Sequence, residues 1–362
     1  MVTTHTRTRT LPSRIQIGKT FIGPDDPVFF IAEIGNNHNG DYFLAKKTIE
    51  AAALAGANAV KFQKRFIDEV FTKEMQERPQ TKDQVYGKTY GEYRRSFELG
   101  ESDFRKLKKI SEGLGLVFFA TPFDMKSVDF LERIGVDVYK ISSFDVTNLP
   151  LLDYVARKGK PIILSVGMSD LSEVDEAVET LLRYTNQLVL KHCVAVYPAP
   201  DELLNLNVIT TLKERYHPLP VGYSGHEKDI LPSLVAAVLG ARSIERHFTL
   251  DKNLPGPDHG TVSLAPAEFK MLVDETRRLE RVLGMREKKL MDAEKKTREK
   301  HSKSIVTTRA LKKGVVITKT MLTVKSPGSG LKPNRMADII GKKTAVAIPK
   351  DTVIENNFIK WN

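Results

Sequence analysis

The sequence of 362 residues has a single cysteine and no long apolar run. One cysteine, Cys193, excludes a disulfide within the chain, which fits a reducing compartment such as the cytoplasm. No apolar run approaches the roughly 20 residues that cross a bilayer, so a membrane role has no support. Few aromatic residues lie between the lysines, which argues against binding of single-stranded nucleic acid by base stacking.

The positive charge of the chain is confined to its C-terminal part. The net charge is +11, but residues 285–362 carry +12 and residues 1–284 carry −1. The larger part is therefore neutral. A basic surface beside an active site attracts an anionic substrate as readily as nucleic acid, so the charge does not by itself indicate a nucleic-acid-binding protein.

Eight apolar, strand-like runs alternate with amphipathic helical patterns. Continuous apolar runs separated by such helices are typical of a parallel sheet that is covered by helices. Eight of these units within about 250 residues predict a closed (β/α)8 barrel, a TIM barrel of the α/β class. The runs are FFIAEIG (29–35), AVKFQ (59–63), VFFATP (117–122), VYKISS (138–143), IILSVG (162–167), LVLKHCV (188–194), VGYSGH (221–226) and SIERHFT (243–249).

Polar residues stand late in these runs, where a barrel of this type carries its catalytic groups. A buried charge is costly, so Lys61 and Lys140 inside apolar runs are expected to pair with an anionic ligand. The alternative is a structural lysine–glutamate pair inside the barrel. The late polar residues are Glu33, Lys61, Gln63, Thr121, Lys140, Ser143, Ser165, Ser224, His226, Glu245 and His247.

Two histidines end neighbouring runs, and each has a polar residue two positions before it. Residues two apart on a strand share a face, so Ser224 and His226, like Glu245 and His247, point the same way. Two imidazoles near carboxylates predict a divalent metal site with open positions. The alternative is one core histidine and one surface histidine that never meet.

Outside the predicted barrel, composition divides the chain into smaller parts. Residues 1–14 read as a disordered tail, and residues 15–284 as the barrel, which begins with a hairpin-like stretch. The long polar connection between residues 66 and 101 is typical of a binding loop or lid. Apolar periodicity stops in the charged linker 285–302. Residues 303–362 form a small module of short strands that is marginal in size for folding alone.

The order of the motifs resembles the sialic acid synthase (N-acetylneuraminate synthase) family. Several short blocks in register are far more specific than any one of them. They are AEIGNNHNG, KFQKR, FFATPFD, YKISS, ILSVGMS, HC followed by YPAP, GYSGHE, ERHFTLD and PGPDH. KSIV, LKKG and TVKSPGSGL are similar to the C-terminal module of that family, an antifreeze-like (SAF) domain related to type III antifreeze protein.

The resemblance implies a transferase reaction. The family condenses phosphoenolpyruvate with the open-chain aldehyde of N-acetylmannosamine or a related N-acylated hexosamine and releases phosphate. The resemblance also implies a divalent metal, Mn or Mg, and a domain-swapped homodimer. Synthesis of a related acid is the alternative: legionaminic, pseudaminic or deaminated sialic acid, or a 9-phosphate product. A more distant alternative is a non-enzymatic binding protein that works through its C-terminal module.

The resemblance also assigns roles position by position. His226 and His247 match the metal ligands. Glu33, Lys61, Lys140 and Glu245 are the expected catalytic residues. The expected substrate-binding residues are Gln63, Thr121, Ser143, Ser165, Tyr197, Ser224, Asp258 and Ser326.

Two positions depart from the pattern of bacterial members. Ala195 stands where they place an asparagine, and Ser326 stands where they place an arginine. Both positions lie near the acetamido group in the family, so the N-acyl preference stays open. Lys325 and Lys332 are candidates to compensate.

Overall fold

The computed structural model describes residues 11–81 and 84–362, and the chain divides into two compact units after Leu283. Residues 1–10 of the predicted disordered tail lie outside the described residues. Leu11 packs against the core of the first unit, and Arg14 forms an ion pair with Asp26 at 2.6 Å. Residues 11–14 therefore contact the first unit, and disorder stays a prediction for the residues before them.

The first unit is the predicted parallel barrel. An antiparallel hairpin, β1 (Ile15–Ile17) and β2 (Thr20–Ile22), precedes it. Eight parallel strands then close in chain order, with the last pairing with the first. They are β3 (Phe29–Gly35), β4 (Ala59–Lys64), β5 (Val117–Pro122), β6 (Tyr139–Ile141), β7 (Ile162–Ser165), β8 (Leu188–Cys193), β9 (Val221–Gly225) and β10 (Ser243–His247).

Helices follow the strands of the barrel. In the described part of the predicted binding loop between residues 66 and 101, the chain forms three short α-helices. The helices of this unit are α1 (Tyr42–Leu54), α2 (Ile67–Val70), α3 (Lys73–Glu77), α4 (Tyr90–Ser96), α5 (Glu101–Gly113), α6 (Met125–Ile134), α7 (Leu149–Ala156), α8 (Leu171–Leu182), α9 (Val208–Arg215), α10 (Leu231–Val238) and α11 (Pro266–Leu283).

The apolar runs form strands because both of their faces are covered. Every residue of β3 is buried, as expected for a strand with barrel interior on one side and helices on the other. Helix α6 shows the covering layer: Val128, Leu131 and Ile134 recur on one face and are buried. The helix begins where Asp124 accepts a hydrogen bond from the backbone of Ser127, a typical N-cap.

The second unit is a separate small module. Its helices are α12 (Lys295–His301) and α13 (Met336–Ile339), so part of the predicted linker is helical. Strand β11 (Ser304–Thr307) pairs with β12 (Leu322–Lys325), and β13 (Lys343–Thr344) pairs with β14 (Ile359–Lys360), all antiparallel. A cluster that includes Ile305, Ile317, Ile339 and Ile354 forms its main core. In the parts of the chain that the structure describes, no helix is long and apolar enough to cross a membrane.

Gly40 fixes a close approach between the loop after β3 and the end of α4. Its φ is +74°, and a Cβ added there would lie 2.1 Å from the backbone oxygen of Ser96. Position 40 therefore requires glycine for two reasons: the backbone conformation is left-handed, and a larger side chain has no space. Gly115 has a similar φ of +80° with nothing within 4 Å of an added Cβ.

We predict that Gly40→Ala destabilises the protein much more than Gly115→Ala. The control variant bears only the cost of a left-handed backbone, about 1–2 kcal/mol. Gly40→Ala adds a backbone clash of about 1–3 kcal/mol. Urea unfolding followed by circular dichroism measures both, and equal losses would contradict the close approach.

Candidate active site

A cavity of about 240 Å³ opens at the carboxyl ends of the barrel strands, and all eight strands contribute a residue to its lining. All predicted site residues except Ser326 line it. Their individual roles stay predictions. The lining residues concerned are Glu33, Lys61, Gln63, Thr121, Lys140, Ser143, Ser165, Tyr197, Ser224, His226, Glu245, His247 and Asp258.

Strand register brings these side chains together. His247 of β10 lies opposite Glu33 of β3, which lies opposite Lys61 of β4. On the other side of β10, Glu245 lies opposite Ser224 of β9. Because parallel strands in register end at the same level, residues more than 200 positions apart in sequence become neighbours.

Lys61 is the centre of a buried ion-pair network. Its ammonium group lies 2.8 Å from Oε2 of Glu33 and 3.4 Å from Oε1 of Glu245, and it donates a hydrogen bond of 3.1 Å to Thr121. Burial alone would lower the pKa of Lys61, but the carboxylates of Glu245 and Glu33 raise it above its usual value. Lys61 is therefore charged at physiological pH, and in this structure it has the lysine–glutamate pairing that was the alternative to an anionic ligand.

Lys191 of β8 is a second cation in this network, and the sequence analysis did not single it out. It is fully buried and donates a hydrogen bond of 2.9 Å to Oε2 of Glu245. Burial lowers its pKa to about 8, although Glu245 opposes the shift. The sequence feature that could have identified Lys191 is the one that identified Lys61, namely a lysine within an apolar run. Burial would raise the pKa of Glu245, but Lys191, Lys61 and Lys140 hold it well below its ordinary value.

Lys140 lies in the same cavity without a carboxylate partner. Its ammonium group donates to the backbone oxygen of Ile141 at 3.0 Å, and no ion pair joins it to any described residue. Burial lowers the pKa of Lys140, and Glu245 only partly opposes this. A buried cation that lacks a counter-ion is the group that an anionic ligand would neutralise.

Hydroxyl groups surround the lysines. The Oγ of Ser165 is buried without a hydrogen-bond partner, although it lines the cavity. Ser143 accepts a hydrogen bond of 2.9 Å from the backbone of Gly167, and its hydroxyl also contacts the thiol of Cys193. With Thr121, these side chains provide hydrogen-bond donors beside the cationic groups.

The two imidazoles meet across the cavity, with ring centroids 5.5 Å apart. Nδ1 of His226 lies 2.8 Å from the backbone oxygen of Val194 and donates to it, so the lone pair is on Nε2. Burial, followed by the proximity of His247, lowers the pKa of His226 to about 3, which keeps it neutral at physiological pH. Nδ1 of His247 is buried without a hydrogen bond and lies 3.8 Å from Oδ2 of Asp258.

These nitrogens fit a metal ion that completes its shell with water or substrate. Neutral imidazoles are common ligands, and a fixed proton on the other ring nitrogen orients them. Among residues 11–81 and 84–362, no group of three or more histidine, cysteine, aspartate and glutamate side chains is placed to hold a metal. The protein would thus supply two imidazole ligands. The ring of Tyr197 stacks on His226 at 4.0 Å between centroids and limits how that imidazole can turn.

Two arginines at the cavity were also missed. Arg65 follows β4 directly, within the KFQKR block, and Arg94 comes from α4 of the long connection. Both line the cavity. Arg65 stood in a recognised motif, and Arg94 stood in the predicted binding loop, but the sequence did not show which residue of that loop would reach the cavity.

Ser326 lies in the second unit. Its hydroxyl accepts a hydrogen bond of 3.0 Å from Lys303 and donates one of 3.1 Å to the backbone oxygen of His301. Lys325 beside it pairs with Asp351. Contact between Ser326 and a substrate stays a prediction.

A family model described as the NeuB family matches residues 48–288, about two thirds of the chain, and one described as the SAF domain matches residues 302–360. The chain belongs to the NeuB family. The resemblance derived from the motif blocks is confirmed, as is the (β/α)8 barrel followed by a SAF domain.

Relatives of this NeuB-family chain are acid synthases of several kinds. It is 41% identical to the N,N'-diacetyllegionaminic acid synthase of Legionella pneumophila, over 90% of this chain and 93% of that protein. It is 36% identical to the N-acetylneuraminate-9-phosphate synthase of Homo sapiens, over 94% of each. The structure resembles that of the sialic acid synthetase of Leptospira borgpetersenii in complex with citrate. That match has a TM-score of 0.71 and 36% identity, and covers 79% of this chain and 95% of that one. The protein is therefore a transferase of the sialic acid synthase type.

We predict that Glu245→Gln lowers the free energy of unfolding by about 3–5 kcal/mol at about pH 7, because it leaves the buried ammonium group of Lys191 without a carboxylate. The loss relative to wild type should shrink as the pH rises. Without Glu245 the pKa of Lys191 falls further below its unfolded value, so the unfolded state binds more protons and stability increases with pH. Urea unfolding at about pH 7 and about pH 9.5 measures this.

The matched control is Glu275→Gln, which breaks the exposed pair with Arg278. That change should cost less than about 1 kcal/mol at either pH. A similar loss in both variants, or a loss in Glu245→Gln that grows with pH, would contradict the network.

Proposed function

We propose that this protein condenses phosphoenolpyruvate with the open-chain aldehyde of an N-acylated hexosamine, such as N-acetylmannosamine. The products are a nine-carbon 2-keto acid and inorganic phosphate. The observation that carries the proposal is the presence, in one cavity, of an unpaired buried lysine and two available imidazole nitrogens. Membership of the NeuB family and the named activities of the relatives support it.

Phosphoenolpyruvate, with its carboxylate and phosphate, fits the lysine end of the cavity. Lys140 lacks a counter-ion and gains one when an anion binds. Lys61 is held in place by Glu33 and Glu245 and adds a second fixed positive charge. The hydroxyls of Ser165 and Ser143 donate hydrogen bonds to ligand oxygens, and charge-assisted bonds of this kind are the strong ones.

His226 and His247 would hold a divalent cation, Mn²⁺ or Mg²⁺. Imidazole favours manganese, since magnesium prefers oxygen ligands. When bound, the cation supplies Lewis-acid polarisation of the aldehyde oxygen. Asp258, 3.8 Å from Nδ1 of His247, is placed to orient a water molecule or a sugar hydroxyl beside it.

The remaining chemistry is assigned to residues of the chain. Carbon 3 of phosphoenolpyruvate forms a bond with the aldehyde carbon, and water adds to carbon 2. The C–O bond to phosphate then breaks, so that phosphate leaves and the 2-keto group forms. Glu33, held at 2.8 Å from Lys61 and 2.7 Å from Gln63, accepts one proton of the attacking water. An equivalent proton is taken up by the aldehyde oxygen, which becomes a hydroxyl, and the second proton of the water leaves with phosphate. Of the other lining residues, Tyr197 is assigned to the sugar and Ser224 to phosphoenolpyruvate.

Three expectations from the sequence stay predictions: the domain-swapped homodimer, the cytoplasmic location and the particular sugar. Ala195 lines the cavity, so the missing asparagine amide removes a polar contact from its wall. An acyl group that makes fewer hydrogen bonds, or a diacetamido sugar, fits such a wall as well as an acetamido group does.

We predict that His226→Ala and His247→Ala each reduce phosphate release from phosphoenolpyruvate and N-acylated hexosamine at least about 100-fold, because each removes half of the imidazole pair. Calorimetric titration with Mn²⁺ alone should show weaker binding to both variants than to wild type.

The control is His301→Ala, which changes an exposed histidine of the second unit. It should leave turnover and Mn²⁺ binding unchanged. Unaltered turnover in both imidazole variants would contradict the metal role. Absence of phosphate release from wild type with every N-acylated hexosamine would contradict the proposed reaction.

A further inference from the structure

The mouth of the cavity carries two arginines without carboxylate partners. Arg65 is only 6% exposed, and its Nη1 is buried without a hydrogen bond. Its other terminal nitrogen donates to Oε1 of Gln63 at 2.5 Å, and its guanidinium stacks on Phe123 at 3.7 Å. No ion pair joins Arg65 to any described residue. A buried guanidinium without a counter-ion destabilises the folded protein unless a ligand supplies the negative charge and the missing hydrogen bond.

Arg94 brings a second positive charge to Arg65. Burial, followed by the charge of Arg94, lowers the pKa of Arg65 to about 9, so Arg65 stays charged at neutral pH. Arg94 contacts the ring of Tyr90 at 6.0 Å and forms no ion pair with a described residue. Its neighbour Arg95 pairs with Asp68 and Gln76 instead. Both arginines thus line the same cavity, and Glu98 and Glu33 act on Arg65 without forming an ion pair with it.

This positive charge is separate from that of the lysines. Gln63 lies between the two groups, since its amide donates to Glu33 at 2.7 Å and accepts from Arg65 at 2.5 Å. Glu33 and Glu245 are matched by Lys61 and Lys191. The lysine end therefore leaves one unpaired cation, and the arginines add two more at the mouth.

We propose that Arg65 and Arg94 form a second anion-binding subsite that holds a phosphoryl group on the sugar. The protein would then act on a hexosamine phosphate rather than on the neutral sugar. This inference rests on the proposed function. A guanidinium presents a planar pair of donors that matches phosphate oxygens, and a phosphoryl dianion matches two positive charges.

The spacing of the strands fits a sugar between the two sites. His247 ends β10 and Arg65 follows β4, with β3 alone between those strands. Strands lie about 4.8 Å apart, so the two positions are separated by about 10 Å. Five C–C bonds of about 1.5 Å and a phosphate ester cover that distance. An aldehyde at the imidazoles would thus place a phosphoryl group at the far end of the six-carbon chain near the arginines.

The test compares N-acetylmannosamine 6-phosphate with N-acetylmannosamine at saturating phosphoenolpyruvate, using phosphate release by the full chain. Wild type should favour the phosphorylated sugar in kcat/KM by about 100-fold. Arg94→Gln should lower kcat/KM for that sugar by about 10- to 100-fold, through KM, and lower kcat/KM for the neutral sugar much less. Arg65→Lys keeps the charge but loses the planar donor pair, so it should show a smaller loss of the same kind.

The control is Arg95→Gln, which changes the neighbouring arginine whose partners lie elsewhere and should alter neither sugar. Arg94 is only half-buried, so Arg94→Gln is expected to fold and tests the inference even if Arg65→Lys folds poorly. Equal losses with both sugars, or a higher KM for phosphoenolpyruvate alone, would overturn the inference and assign the arginines to another role. Turnover of the neutral sugar with no preference for phosphate overturns this inference alone, whereas no turnover of any sugar overturns the proposed function as well.

Discussion

Buried positive charge is the constraint on which the rest of this structure depends. Three lysines point into the barrel, and two carboxylates meet them. Lys61 and Lys191 share Glu245, while Lys140 is left to a backbone oxygen. Such a cluster contributes little to stability by itself, because desolvation offsets the attraction between the charges. Its incomplete neutralisation indicates that the site is built around an anion that joins the protein when it binds.

The barrel makes this arrangement possible by holding the charges on strands. The backbone of each strand is fixed by its two neighbours, so the lysines cannot move apart to relieve their repulsion. The same frame brings His226 and His247 together and fixes the tautomer of His226 through Val194. The arginines at the mouth come from less regular segments. One directly follows β4, and the other lies on α4, which Gly40 allows to approach the barrel.

The sequence predicted most of the fold, because apolar runs of strand length and a polar residue late in each run are visible without a structure. The side chains that it predicted for the site line one cavity, apart from Ser326, which lies in the other unit, but it missed Arg65 and Arg94. It could not show that Lys191 has a carboxylate and Lys140 has none, since that difference depends on strand register across the barrel. The location of Arg94 at the cavity could not be predicted for a similar reason, because it depends on how the long connection between residues 66 and 101 folds.

The most direct measurement is the melting temperature of Lys140→Met with and without phosphoenolpyruvate. Removing an uncompensated buried ammonium group should raise the melting temperature of the free protein, as often happens when a site built for a ligand is relaxed. A ligand that binds the folded state raises the melting temperature, so phosphoenolpyruvate should stabilise wild type and have little effect on the variant. A variant that is less stable than wild type, yet is stabilised equally by phosphoenolpyruvate, would contradict the account.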